Sequence, residues 1–217
     1  VTESAPKDAV IRFLFELGYG WTSLLIGRFG LPIGGWSHVR PILDDGSSID
    51  SYEGWIYSAP EGWGVSGFPQ SIAPGVAHRP PNFRKVKASA LVVIPVTSEQ
   101  KAKWLKFLWA GADAHLAYDF AAIENYILGG NRPAKNSDIC SAWARQSARN
   151  LWLGHPSNVL SREVSPDMFY ALTQEAYGGT VIVQKGTPPV GASGTIATSD
   201  SPSPPISAVL DSLRTIK

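Results

Sequence analysis

Residues 34–52, GGWSHVRPILDDGSSIDSY, decide how this chain is read. Two short runs, 37–43 and 48–52, read as strands, and Asp45-Gly46 between them is a hairpin turn signal. If the runs pair, His38 on the first and Asp50 on the second come close. A carboxylate beside an imidazole can then fix its tautomer. Pro41 has no N–H to give a ladder, so the first strand is expected at a sheet edge or with a bulge. The plain alternative is an ordinary half-buried histidine and a turn-flanking aspartate.

Working outward, residues 53–74 are rich in glycine, proline and aromatics and read as a long surface loop. Its Trp55, Tyr57, Trp63 and Phe68 suit either the wall of a substrate groove or a cover over the core. PGVAHRPP (74–81) reads as a short strand and ASALVVIPV (88–96) as a buried one. Thr97 and Gln100 make a capping box for a helix through Trp104, Leu105, Phe107 and Leu108. Another helix is predicted at 119–128, ended by Gly129-Gly130. A third runs from Cys140 to about Leu153, and Ser165-Pro166 caps a fourth that ends near Ala176. TVIVQ (180–184) is the last strand. On the other side of the hairpin, 4–17 is predicted as a helix, with Ser4 as N-cap, Pro6 in its first turn, and Val10, Ile11, Leu14 and Phe15 at 3–4 spacing. A short second helix is expected at 22–29, broken by Gly34-Gly35. Helices and strands are partly segregated, so the expected class is α+β. One domain over 1–185 and a Pro/Ser/Gly-rich tail over 186–217, with a short terminal helix, complete the expected organisation.

The 217 residues are ample for one core, and 44% apolar with 17% charged residues suits a folded globular chain. A net charge of +1 gives no field that would argue for nucleic acid or an anionic membrane. The apolar start lacks a basic n-region before its hydrophobic run, so it does not read as a signal peptide. Arg12, Glu16 and Arg28 interrupt it too often for a spanning helix, and a soluble protein is expected. A single cysteine permits no internal disulfide, and His38, His78, His115 and His155 lie too far apart for zinc-site spacing.

That cysteine, Cys140, follows Asn136, Ser137 and Asp138 and opens an amphipathic run. A helix N-terminus stabilises a thiolate through its unpaired N–H groups and dipole, so Cys140 is a candidate nucleophile. Asp138 fits best as a cap pointing at backbone amides, since a carboxylate beside the thiol would oppose ionisation. A lone cysteine is also among the residues most often simply buried. A nucleophile needs a base and the base an orienter, roles for which His38 and Asp50 are the best candidates.

Taken in order, GGWSHVRPILDDGSSIDSY, PGVAHRPPNF, AYDFAAIENYILGG and DICSAWARQ resemble the circularly permuted NlpC/P60-like (papain-like) cysteine hydrolases. The similarity is to the phage and prophage proteins and the YiiX-like group, and it spans roughly 20–153. Those proteins show a Ser-His-Val strand, a DG turn, a later Gly-Val segment, Tyr-Asp before a helix, and Cys-Ser at a helix start. In ordinary papain-like enzymes the cysteine helix precedes the histidine strand. Here His38 precedes Cys140, as in the permuted group, and a constellation defined in space can survive that change of order. The resemblance implies a small antiparallel sheet or partial barrel packed against helices. It also implies Cys140 as nucleophile, His38 as general base and Asp50 as the third polar position. Tyr118, Trp36 and Ser37 fall where substrate would be bound. Tyr118 is then an oxyanion or substrate contact, or a packing residue with a satisfied hydroxyl. Asp119 reads as the N-cap of the helix it precedes. Relatives commonly carry Cys-Ser-Glu, whereas this chain has Cys140-Ser141-Ala142. His78 matches no catalytic position, and Arg79 reads as a packing residue or a partner for surface carboxylates.

The implied reaction is cofactor-free acyl transfer to water. Cys140 attacks an amide or thioester carbonyl, His38 carries the proton, and the Cys140 N–H, with Tyr118, stabilises the oxyanion. The implied partner is a peptide or cell-wall fragment, giving a peptidase or amidase of murein-like peptides. A lipid acyl hydrolase or acyltransferase is the first alternative. An inactive papain-like scaffold in a phage particle or interaction module is the second, since a fold does not guarantee a function.

Overall fold

The structure, a computed structural model, describes residues 6–18, 35–53, 55–56, 70–81, 84–119, 137–138, 140–149, 151 and 165–186. The helix expected at 22–29, the one expected at 119–128 beyond its first residue, and the tail beyond 186 lie outside these residues.

The chain forms strands β1 (Ala9–Leu17), β2 (His38–Ile42), β3 (Ser48–Tyr52), β4 (Trp55–Ile56), β5 (Gln70–Ser71), β6 (Gly75–Arg79) and β7 (Ala88–Val96). Helix α1 (Ser98–Asp113) follows, then β8 (Ala117–Tyr118), β9 (Ser137–Asp138), α2 (Cys140–Arg149), α3 (Pro166–Glu175) and β10 (Thr180–Lys185). Six strands make one antiparallel sheet in the order β10-β7-β1-β2-β3-β6. The result is an α+β fold with helices packed on one face of that sheet.

The helix expected over 4–17 is, in its described part, strand β1. The run satisfies both periods. At period two it places Ile11, Phe13 and Phe15 on one face, all three fully buried. A helix would turn Ile11 and Phe13 to different sides. Pairing with β2 and β7 bonds the β1 backbone along both edges and settles the choice. Pro41 is also placed differently from its expectation. It lies opposite Phe13 in an interior strand. The β2–β3 ladder is in register at the Ile42–Ser48 pair beside the turn, so most of β2 faces an open stretch on that side.

Local signals set the other elements. The Asp45-Gly46 turn is closed by Leu43 N–H to Ser47 O at 2.8 Å, and Gly46 takes the left-handed φ of 83° that favours glycine. The α1 capping box is complete: Thr97 Oγ1 accepts from Gln100 N–H, and the Gln100 side chain accepts from Thr97 N–H. Ser165 caps α3, with Pro166 in the first turn.

The core lies between the sheet and the helices. Phe13 meets Trp104 of α1 edge-on at 5.9 Å and Phe169 of α3 at 5.1 Å. Aromatic pairs of this geometry contribute about 0.5–1.5 kcal/mol beyond their buried area. Trp143 of α2 stacks on Phe107 at 4.7 Å and donates its indole N–H to Ile49 O of β3 at 3.1 Å. These contacts fix the height of α2 on the sheet, and with it the position of Cys140.

Candidate active site

Strand alternation gives the sheet a second buried face of opposite chemistry. Glu16 sits across from His38 in the β1–β2 register, and Asp50 is on the same side in β3. The His38 ring nitrogen Nε2 is 3.2 Å from Asp50 Oδ2, and both side chains are almost wholly buried. Asp50 Oδ1 accepts from Arg79 Nε at 2.7 Å. The Arg79 NH2 group donates to the carbonyls of Ala73 and Gly75 at 2.9 and 3.0 Å. Tyr52 presents its ring at right angles to the imidazole, 5.0 Å between centroids. Its hydroxyl accepts from Arg84 NH1 at 2.7 Å. Arg84 is held by Glu16 Oε2, and Arg40 by Glu16 Oε1 at 3.0 Å.

This cluster sets the charge states. Burial would raise the Asp50 carboxyl, but the bond to His38 and the neighbouring guanidiniums outweigh it and bring it down to about 2. Burial and the charge of Arg84 lower His38 to about 4, against the pull of Asp50. At neutral pH, then, Asp50 is ionised and His38 neutral. A carboxylate only accepts, so the His38 proton sits on Nε2. Among the described residues Nδ1 has no partner and carries the free lone pair. The guanidiniums of Arg40, Arg79 and Arg84 are each paired with the Glu16 or Asp50 carboxylate around the ring.

Cys140 is the first residue of α2 and 2% exposed. Burial pushes its thiol up to about 12, although the N–H groups of Val39 and Ser141 and the charge of Arg84 favour the thiolate. Val39 follows His38 on the stretch of β2 left open by the short β2–β3 ladder. Cys140 therefore reaches the strand next to His38, but no hydrogen bond joins the thiol to the imidazole among the described residues. The raised thiol and the lowered imidazole both disfavour a thiolate–imidazolium pair when no substrate is present.

The parallel pairing of β8 with β9 brings Tyr118 beside the approach to Cys140. Burial and the neighbouring Cys140 hold the Tyr118 hydroxyl well above its ordinary range, so it remains a donor. Trp36 and Ser37 occupy packing positions. Trp36 is fully buried against Phe15 and Tyr170, and its backbone N–H donates to Asp167 at 2.5 Å. Ser37 donates its hydroxyl to Glu16 O and accepts from Gly18 N–H, tying the end of β1 to β2. Arg79, expected to pack or to meet surface carboxylates, binds the buried Asp50 instead. His78 is apart from the cluster, 2.9 Å from Ser47 Oγ and against the Trp109 ring. The Asp138 side chain lies outside what the structure describes.

Sequence reasoning missed Glu16, Arg40 and Arg84. Glu16 was hidden by the helical reading of its segment, and Arg84 lies between strands with no local pattern. Among the described residues no group of three histidine, cysteine, aspartate or glutamate side chains could hold a metal ion, and no helix is long and apolar enough to cross a membrane. No protein-family model matches the chain, and no curated protein matches it.

Proposed function

We propose that the chain is a thiol hydrolase of circularly permuted NlpC/P60-like type, cleaving amide bonds of murein-like peptides through Cys140, His38 and Asp50. The observation that carries this reading is the His38–Asp50 pair, with Nε2 committed to the carboxylate and Nδ1 bonded to none of the described residues. That is the tautomer a general base needs when an acid fixes its far side. Cys140 is the first residue of a helix, and the N–H groups of Val39 and Ser141 favour its thiolate, the one feature of its placement that suits a nucleophile.

The high thiol and low imidazole values define the chemistry. A preformed thiolate–imidazolium pair is too costly in the resting site, so proton transfer accompanies attack. As Cys140 Sγ bonds to the carbonyl carbon, its proton passes to His38 Nδ1. The carbonyl electron pair moves to oxygen, where Tyr118 O–H and backbone N–H groups can donate to it. Collapse breaks the C–N bond, and the imidazolium returns the proton to the leaving amine. Water then attacks the thioester, giving a proton to His38, and the thiol is restored. This requires Sγ to come within hydrogen-bond reach of Nδ1 when substrate binds. The polar, charged surroundings of His38 suit a polar peptide better than an uncharged acyl chain, so the peptide reading leads over the lipid one.

The second reading is the inactive scaffold, favoured by the raised Cys140 thiol and the missing thiol–imidazole bond. Incubation with murein-type acidic peptides, followed by intact-mass analysis, separates the two. The hydrolase reading predicts cleaved peptide and a thioester adduct on Cys140 that accumulates at short times, both absent in Cys140→Ala. Adducts with phospholipid acyl donors but not with peptides would move the assignment to the lipid alternative. No adduct from either class, with the protein folded, would favour the scaffold.

A further inference from the structure

We propose that Arg79 is a positioning residue for His38, acting through Asp50. The inference rests on the reading of His38 as the general base. The residues form a chain of contacts. Arg79 Nε donates to one oxygen of Asp50 and His38 Nε2 to the other, at 2.7 and 3.2 Å. An Asp50 carboxylate with only the imidazole as partner could turn about its terminal torsion and carry both oxygens out of line with Nε2. Occupation of Oδ1 by a fixed guanidinium leaves Oδ2 as the oxygen that meets the ring.

Arg79 can hold that position because its own orientation is set twice over. Its NH2 group donates to the carbonyls of Ala73 and Gly75, so the planar fork is pinned to the start of β6. Gly75 has φ of 81°, and a Cβ there would collide with Leu116 O. The same turn receives the Val76 N–H to Leu116 O bond at 2.8 Å, which fixes β6 beside β8. The clamp therefore runs from a glycine-dependent turn, through Arg79 and Asp50, to the ring. Arg79 also lies within reach of the Tyr52 ring, 5.7 Å from its centroid, on the ring that walls His38. The groups facing His38 are Asp50, Glu16, Arg84 and Tyr52, and of these Arg79 bonds Asp50.

Lysine keeps the charge but cannot span Asp50 and two carbonyls at once, whereas methionine removes the charge and keeps much of the volume. We expect Arg79→Met and Arg79→Lys to convert His38 from a single Nε2–H tautomer to a mixture. The histidine titration should also move by about one pH unit in Arg79→Met. Both are read from the ring nitrogen shifts of 15N-histidine-labelled full chain, with His38→Ala assigning the signal and circular dichroism confirming the fold. A purely structural role would lower the melting temperature without changing tautomer or titration in the folded protein. The proposal is overturned if folded Arg79→Lys, which retains the charge and is the safer variant to fold, keeps one tautomer and an unshifted titration. The two levels separate. A tautomer change with Cys140 alkylation indifferent to His38→Ala would uphold the clamp and reject the hydrolase. An unchanged tautomer with His38-dependent alkylation would do the reverse.

Discussion

The two faces of the sheet where β1, β2 and β3 meet are held by different physics. On one, Ile11, Phe13 and Phe15 pack against Trp104, Phe169 and Tyr170, where shape and apolar area determine stability. On the other, Glu16, Arg40, Arg84, Asp50, Arg79 and His38 are buried as a mutually satisfied charged network. Replacing such a network wholesale by apolar side chains is often neutral in stability, but breaking it at one member is not. The difference teaches where to look for chemistry. The apolar face could be rebuilt from other hydrophobic residues. The charged face fixes one tautomer on one histidine, a specification that stability alone would not demand.

The largest effects should come from single truncations on either face, and their rescue should differ. Phe13→Ala is expected to cost about 3–5 kcal/mol in denaturant unfolding, with Phe13→Leu recovering most of it. Glu16→Leu should cost a similar amount, about 3–5 kcal/mol, because it strands two buried guanidiniums. Here the isosteric Glu16→Gln should recover little, since its amide nitrogen faces Arg84 or Arg40. Full recovery by glutamine would mean that shape, not charge, holds this face.

Acid sensitivity sharpens the contrast next. His38 titrates near 4 in the fold and near 6.5 when free, so the unfolded chain binds more protons between those values. Stability is fully present above pH 6.5 and is lost as pH falls toward 4, by about 3 kcal/mol. Asp50, lowered from 3.8 to about 2, removes roughly 2 kcal/mol more as pH falls through that range. Melting temperature against pH should show the first loss in the parent and not in His38→Gln.

Asp167 acts with the opposite sign. Burial raises its carboxyl to about 7, against the bond from Trp36 N–H. The folded state therefore binds the proton more tightly, and stability falls as pH rises from 3.8 through 7. Asp167→Asn keeps an acceptor for Trp36 and should raise the melting temperature above pH 7, with almost no gain at pH 4. An equal gain at both pH values would show that the carboxylate is not the cause.

Much of this architecture is legible where the signal is local. The Asp45-Gly46 turn, the Thr97–Gln100 box, the Ser165-Pro166 cap and the alternation of ASALVVIPV each carry their own cause in a few residues. The same holds for the helix start at Cys140 and for the strand pairing that joins His38 to Asp50. β1 is not legible in this way, because its apolar residues satisfy both the 3–4 and the two-residue period. Only pairing with β2 and β7, whose residues are far along the chain, decides between them. The helical reading then hid Glu16, and with it the anchor of Arg40 and Arg84. Arg79 was visible as a residue but not as a clamp, since its acceptors, Asp50, Ala73 and Gly75, meet only after β3 and β6 pair.

The measurement that tests the central claim most directly is alkylation of Cys140 by iodoacetamide across about pH 4 to 9, in the parent and in His38→Ala. If His38 is the base for this thiol, labelling of the parent should exceed that of folded His38→Ala by about tenfold or more near neutral pH. Its pH profile should also depart from that of a simple buried thiol. If both proteins label at the same slow rate, rising only toward alkaline pH, Cys140 is a buried packing residue, and the His38–Asp50 pair serves something other than a thiol nucleophile.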